Sequence, residues 1–600
     1  MVGSTHWIAT ASAQAVLERG GNAFDAAVAG AFVLHVVEPH LNGPGGDMTG
    51  VFVTSDAPSA PRVLMGQGPA PAGATIEHYR AEGLDLVPGS GALAAAVPGA
   101  VDAWLLLLRD HGTWDLADVL AYAIGYAREG HPLLGRVSST ISMVAELFRD
   151  HWPTSAERWL PDGAAPAPGT LVTNPEYADL LDAVVAAGSA AGSRAEAIDL
   201  ARATWRERVG AAVEEFVRTP HRHADGGDHA GVMTAADVVA FEASYEDATT
   251  ATFRGYTIAK TGAWGQGPAL LAACKILEGF DDAALDPSTE LGAHTILEAQ
   301  KLAMADRDVW YGDPAENDVP LTYLLGEDYA ARRRALITDT ASREVRPGDV
   351  PGRRTPPVPT LRTEYASSAP IGSLPGAPTG GPAAGVGEPT VEVPSPDNPE
   401  HTGATRGDTC HIDVVDRWGN MVSATPSGGW LQSSPTVPGL GFCLGTRLQM
   451  TWLDETSPSA LVPGRRPRTT LTPTLVLRDG EPVIALGSPG GDQQDQWQLL
   501  FLLRVLVGGY TPQQAIDAPA LHTTSFPGSF WPRTWTPGGA TVEDRLGDAV
   551  ITGLERRGHV VTRAGDWALG RLSAVTRDPA TGLLGAAANP RGAQGYAAGR

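Results

Sequence analysis

The chain has 600 residues, 43% hydrophobic and 19% charged, with 44 basic against 68 acidic side chains and a formal net charge of −24. That length calls for several domains or one large layered one, and the acidic balance argues against nucleic acid or an anionic membrane surface as partner. The three cysteines, Cys274, Cys410 and Cys443, are spaced for neither a disulfide framework nor a thiolate metal site, and no uninterrupted apolar run reaches the length of a membrane span.

The N-terminus lacks a basic stretch followed by an apolar run and a cleavage site, so a cytoplasmic protein is expected. Ser12–Arg19 reads as a helix closed by Gly20-Gly21. Asn22 then caps a second helix from about Phe24 to Val37, apolar almost all round and therefore buried. Gly43-Pro44-Gly45-Gly46 lacks the Lys-Ser/Thr ending of a phosphate loop. Met48–Thr54 reads as a strand, and Val101–Arg109 and Leu116–Arg128 as helices. His221, His223 and His229, near Asp225 and Asp228, are dense enough for a metal site. Their polar, glycine-containing surroundings read as a solvated loop, and neither a metal nor any other cofactor is expected.

Thr289–Trp310 carries apolar residues at three- and four-residue spacing and reads as one long helix. From Pro347 to Arg406, Pro, Gly, Ala, Ser and Thr dominate, and hydrophobic periodicity is lost between about Ser367 and Thr405. By composition this is a disordered linker. Beyond it the chain turns β-rich. His411–Asp416 and Met421–Thr425 flank Arg417-Trp418-Gly419-Asn420 as a hairpin, and Leu471–Leu477 and Pro482–Leu486 flank Asp479-Gly480 as another. Gln494–Leu506 and Pro512–Asp517 read as helices. Strands and helices in both halves predict an α/β or α+β layered domain.

The junction of linker and strand, Asp408-Thr409-Cys410-His411, is the place for a nucleophile that the chain makes by cutting itself. Breaking the Asp408–Thr409 bond would make Thr409 an N-terminus. Its hydroxyl would then lie beside an α-amine whose ordinary pKa of about 7.7–8.0 suits a base. Cys410 and His411 do not form a thiol–imidazole pair, because neighbours on a strand point to opposite faces. Cys410 is read as a small core residue.

Thr409-Cys410-His411, Val414-Val415-Asp416 and Gly419-Asn420 resemble the nucleophile strand and turn of the γ-glutamyltransferase family. Gly20-Gly21-Asn22-Ala23-Phe24-Asp25-Ala26-Ala27-Val28, with Val37-Glu38-Pro39-His40 and Gly45-Gly46, resembles its N-terminal signature. Glu298-Ala299-Gln300-Lys301-Leu302-Ala303, Ala305-Asp306-Arg307 and Tyr311-Gly312-Asp313-Pro314 resemble its central helix, and Gly487-Ser488-Pro489-Gly490-Gly491 its oxyanion loop.

The resemblance implies the α+β, four-layer αββα sandwich of the N-terminal-nucleophile hydrolases. It also implies a chain split into 1–408 and 409–600, with the two fragments held together as a heterodimer that can itself dimerise. Thr409 would be the nucleophile, Ser427 its supporting hydroxyl, the Gly490 and Gly491 amides the oxyanion site, and Thr469 and Thr470 the binders of a substrate carboxylate. Two positions depart from the family. Gln67 stands where an Arg grips the γ-glutamyl α-carboxylate, and Met450 stands where an Asp holds the α-ammonium. Losing one member of a desolvated ion pair costs about 3–5 kcal/mol. Arg447, Arg465, Arg466 and Arg468 are candidates to replace the lost guanidinium. The family's default substrates are glutathione-like γ-glutamyl amides. The departures raise a non-glutamyl acyl amide, as in relatives resembling oxamate amidohydrolase or cephalosporin acylase. A third alternative is an uncleaved, inactive binding protein.

Overall fold

The computed structural model describes residues 1–315, 317–364, 409–591 and 595–600, so Asp408 and the expected linker from 365 to 406 lie outside the described residues. Two sheets pack face to face. The seven-stranded sheet runs in the order Tyr596–Ala598, Val2–Ser4, Ile412–Val415, Met421–Ser427, Asp47–Val53, Arg62–Gly66, Ser244–Asp247. The six-stranded sheet runs Leu584–Ala588, Ser573–Arg577, Glu481–Gly487, Thr474–Arg478, Tyr256–Lys260, Thr249–Phe253. Helices Trp7–Glu18, Ala23–Val37 and Ala100–His111 share a core with the first sheet, and Gly267–Leu277, Glu290–Trp310 and Gln494–Leu506 share one with the second. The result is the expected α+β sandwich of four layers.

Local chemistry explains the elements around the site. Asn22 caps the helix Ala23–Val37 in a capping box with Asp25, which satisfies the first free amides. Every residue of that helix is buried. It can approach the sheet because Gly30 has no side chain: a Cβ there would meet Ile412 Cδ1 at 2.6 Å. Asp416 closes the first hairpin by accepting from the Trp418 amide at 2.9 Å and the Asn420 amide at 3.0 Å, and its other oxygen accepts from the Ala23 amide at 2.9 Å. The second hairpin turns at Asp479 and Gly480, with φ of 53° and 82°, the positive values its tight turn demands.

Four sequence expectations change. The strand expected from Leu471 starts at Thr474, because Thr469 exchanges backbone hydrogen bonds with Trp264 and Gln266, both at 3.0 Å. The short strand Val2–Ser4, which pairs with both Ile412–Val414 and Tyr596–Ala598, was not foreseen. The described part of the expected linker, 347–364, has neither helix nor strand yet is anchored. The Gly348 amide donates to Asp306 at 2.7 Å, Trp310 donates to the Gly348 carbonyl at 2.9 Å, and the Trp535 amide donates to the Arg362 carbonyl at 2.9 Å. The histidine group is buried rather than solvated: His221 and His223 accept from the Ala92 and Leu93 amides, both at 3.0 Å, and His229 lies between Glu82 and Asp225. Among the described residues no helix is long and apolar enough to cross a membrane.

Candidate active site

Strand register lines up the residues singled out in the sequence. Thr409 bridges Ser427, and Ser427 pairs with Asp47. The pairing of Met48 with Gly66 then sets Gln67, one step further, abreast of Asp47. Laterally adjacent residues share a face of a sheet. Thr409, Ser427, Asp47 and Gln67 therefore form one row across four strands. The row shares its face with Asp413 and Ser423, which look toward the second sheet. Ser573 donates to Asp413 at 2.8 Å, and Ser423 donates to the Leu486 carbonyl at 2.9 Å.

Thr409 is fully buried, with its Oγ1 3.1 Å from Ser427 Oγ. Next to it, Cys410 points the other way. Its thiol donates to Glu38 at 3.0 Å and accepts from Asn42 at 3.1 Å, and burial beside Glu38 pushes its pKa far up. His411 returns to the Thr409 face, with Nδ1 2.9 Å from Thr425 and Nε2 2.8 Å from Asp413. The two side chains thus lie on opposite faces, as strand parity requires, and Cys410 is engaged in a hydrogen-bonded group rather than being plain core.

The Gly490 and Gly491 backbone has φ of 127° and 52°. A Cβ at Gly490 would meet the Trp497 ring at 2.4 Å, so the turn demands glycine. The loop is held from behind. Gln266 donates to the Gly491 carbonyl at 3.3 Å and accepts from Arg307 at 3.0 Å. Arg307 also pairs with Asp492, which accepts from the Ser529 amide at 2.8 Å. Burial alone would raise the Asp492 carboxyl, but Arg307, Arg468 and Ser529 outweigh it and hold the group below the usual carboxylate range. With the Gln494 amide oriented so that its nitrogen faces the two acceptors, it donates to the Ser488 and Thr470 carbonyls at 3.1 and 3.2 Å and ties Thr470 to the same loop. The Thr469 hydroxyl accepts locally from the Leu471 amide at 3.2 Å, whereas the buried Thr470 hydroxyl has no partner among the described residues.

At the far end of the row, Gln67 is fully buried and neither end of its amide finds a partner among the described residues. Met450 is buried against Trp430 and Phe530. Of the four candidate arginines, Arg447 lines a small cavity with Gly46, Asp47, Trp430 and Phe530. Arg466 instead pairs with Asp313 and Glu246. Arg468 donates to Ser529 at 2.9 Å, and burial lowers its pKa to about 10. Asp47 was missed in the sequence although it directly follows Gly45-Gly46, because its partner Arg447 lies 400 residues away in the chain. Among the described residues, His294, Glu298 and His559 could group around an ion, but the Glu298 carboxylate is already held by Lys301 and Arg346.

Comparison with known proteins gives a consistent result. The family profile described as "Gamma-glutamyltranspeptidase" matches residues 9–599. The chain is 30% identical to the "Glutathione hydrolase-like YwrD proenzyme" of Bacillus subtilis strain 168, over 99% of this chain and 97% of that protein. It is 28% identical to the "Acylase ACY 1 proenzyme" of Pseudomonas sp. strain SE83, over 98% and 91%. The solved structure of LmbA2991HD superimposes with a TM-score of 0.90 at 52% identity, covering 100% of this chain and 98% of that one.

Proposed function

The chain belongs to the gamma-glutamyltranspeptidase family and is an amidohydrolase of that family; on that premise we propose that it cuts itself between Asp408 and Thr409 and then hydrolyses an acyl amide lacking the γ-glutamyl zwitterion. Thr409 Oγ1 attacks the amide carbonyl, and the new α-amine takes its proton and passes it to the departing amine. The Gly490 and Gly491 amides hold the oxyanion, each such donor being worth about 2.7–4 kcal/mol in comparable sites. Water, deprotonated by the same amine, then releases the acid and restores Thr409. The Ser427 hydroxyl, 3.1 Å from the nucleophile, orients it. The two fragments, 1–408 and 409–600, stay together because the strands of the first fragment flank those of the second in both sheets.

One observation carries the choice of substrate. Met450, packed between Trp430 and Phe530, offers no charge to an α-ammonium, and Gln67 offers none to an α-carboxylate. The experiment compares γ-glutamyl-p-nitroanilide and glutathione with p-nitroanilides of uncharged acids. Turnover of the uncharged acyl groups with little of the first two is expected. Turnover of glutathione with a micromolar KM would restore the plain γ-glutamyl reading.

A further inference from the structure

A second cavity lies close to the one that Arg447 lines. It holds about 340 Å³ of space unfilled by atoms, part of it open to solvent, and none of its lining residues is acidic. The two cavities have no lining residue in common, although the segments 43–46 and 428–429 contribute to both. The walls of the second carry more charge and more donors than the protein uses. Among the described residues Arg158 makes one hydrogen bond, from Nη2 to the Thr173 carbonyl at 3.4 Å, and its guanidinium stacks 4.5 Å from the centre of the Trp159 ring. Arg158 Nε, Trp159 Nε1 and His35 Nε2 are buried, and none of the three finds a partner among those residues. The Tyr177 hydroxyl lies 3.3 Å from His35 Nδ1. When it donates to that nitrogen, the neutral ring carries its hydrogen on Nε2 and presents a third unused donor. Glu176, a carboxylate near Arg158, accepts from the Gly439 amide at 3.0 Å instead. Burial pulls the Arg158 pKa down to about 10, and it pushes the Cys443 thiol on the same wall up to about 12, so Cys443 stays neutral. Asn42 Oδ1 adds an unpaired acceptor.

We propose that this cavity is a binding site for a small carboxylic acid, taken up as its anion on Arg158, Trp159 and His35. A guanidinium presents its N–H groups in a planar fork that a carboxylate matches with its two oxygens. The indole and imidazole N–H groups supply further donors to the same anion. Buried donors left unpaired are costly, and a ligand that accepts from them recovers that cost on binding. One guanidinium and no acid on the wall match a single negative charge. Asn42 Oδ1 can accept from a hydroxyl next to the carboxylate, so a small hydroxy acid satisfies the wall more fully than a plain one. The site stands whatever amide is cleaved at Thr409.

The test titrates the purified wild type with sodium acetate, glycolate and chloride at constant ionic strength, reading the unfolding temperature and the heat of binding. Acetate and glycolate should raise Tm along a saturating curve with a Kd on the order of 1 mM, the scale open to ligands of so few atoms. Chloride, which cannot engage a fork with two oxygens, should bind about tenfold more weakly or less. Arg158→Gln should weaken acetate by about tenfold or more. Trp159→Phe keeps an aromatic ring, removes the N–H and should weaken acetate by about fivefold, the scale of one hydrogen bond. Arg149→Gln changes an exposed arginine on a neighbouring helix and should leave binding as it is. If neither acid gives a saturating shift, the cavity holds water only and the proposal falls. It falls equally if chloride matches acetate, or if Arg158→Gln binds acetate as the wild type does. Should Arg158→Gln fail to fold, Trp159→Phe decides: weaker acetate binding supports the site, and unchanged binding overturns it.

Discussion

In the proposed mechanism Thr409 concentrates the chemistry in one residue, serving first as the hydroxyl at its own scissile bond and then as the source of the base. Thr409→Ala should therefore abolish both: the purified variant stays one chain, whereas the smaller wild-type fragment begins Thr-Cys-His on N-terminal sequencing. A wild type that stays whole for days would favour an inactive homologue. Ser427→Ala removes a hydroxyl hydrogen-bonded to the nucleophile and should slow self-cleavage and turnover by about tenfold, the scale of one hydrogen bond. At the other end of the row, Gln67→Arg with Met450→Asp should raise γ-glutamyl activity by more than the product of the single effects. The two new charges grip opposite ends of one zwitterion, and sites sharing a ligand do not add. A strictly multiplicative double variant would show that the two positions do not face the same substrate.

Between the sheets the tolerance is small. Gly487, on the strand that leads to Gly490 and Gly491, lies under the His411 ring of the strand that follows Thr409, where a Cβ would come within 2.1 Å of Cε1. His411 is itself fixed by Thr425 and Asp413 and has little room to yield. Gly487→Ala should cost about 1–3 kcal/mol, as overpacking a core does. Because it pushes the two functional strands apart, it should also slow self-cleavage more than a substitution of equal cost elsewhere. Asn22→Ala supplies that control. It breaks the capping box of Ala23–Val37 at about 1 kcal/mol without touching the nucleophile strand. Equal cleavage rates in the two variants would show that the close contact of Gly487 with His411 does not set the spacing that self-cleavage needs.

Acid should weaken the whole molecule through its buried histidines. Burial lowers His35, His223 and His522 to about 3 and His221 to about 4. All four are thus neutral in the fold and titrate near about 6.5 once unfolded. A folded value below the unfolded one means the contribution is fully present above about pH 6.5. It is lost as pH falls from there toward the folded values, since the unfolded chain takes up protons the fold refuses. At pH 5.5 each such histidine costs about 1.4 kcal/mol relative to pH 8. Denaturant unfolding of the uncleaved Thr409→Ala chain should show a midpoint that drops steadily below pH 6.5, and His223→Gln should reduce that slope by one proton. A midpoint constant from pH 7.5 to 5 would refute this account.

By itself the sequence determined the family and most of the elements of the fold. The cap at Asn22, the buried helix to Val37, both hairpins and the helix Gln494–Leu506 followed from periodicity, capping and turn residues, which act within a few positions of one another. The Thr409 junction and the glycines at 490 and 491 could be singled out as candidates for the same reason, since they too are short-range motifs. What lay beyond reach depended on register and burial. Val2–Ser4 is too short to announce itself and exists because two strands from distant parts of the chain flank it. The histidines at 221, 223 and 229 are polar in sequence yet buried, because backbone amides and carboxylates elsewhere satisfy them. Only the ladder of four strands set Thr409, Ser427, Asp47 and Gln67 in one row. Only the turn Arg447–Met450, folded back across that row, closed the guanidinium onto Asp47 and left Met450 against Trp430 and Phe530. Long-range pairing carries no local signature, so the kind of residue was written in the sequence and its company was decided by the packing of the sheets.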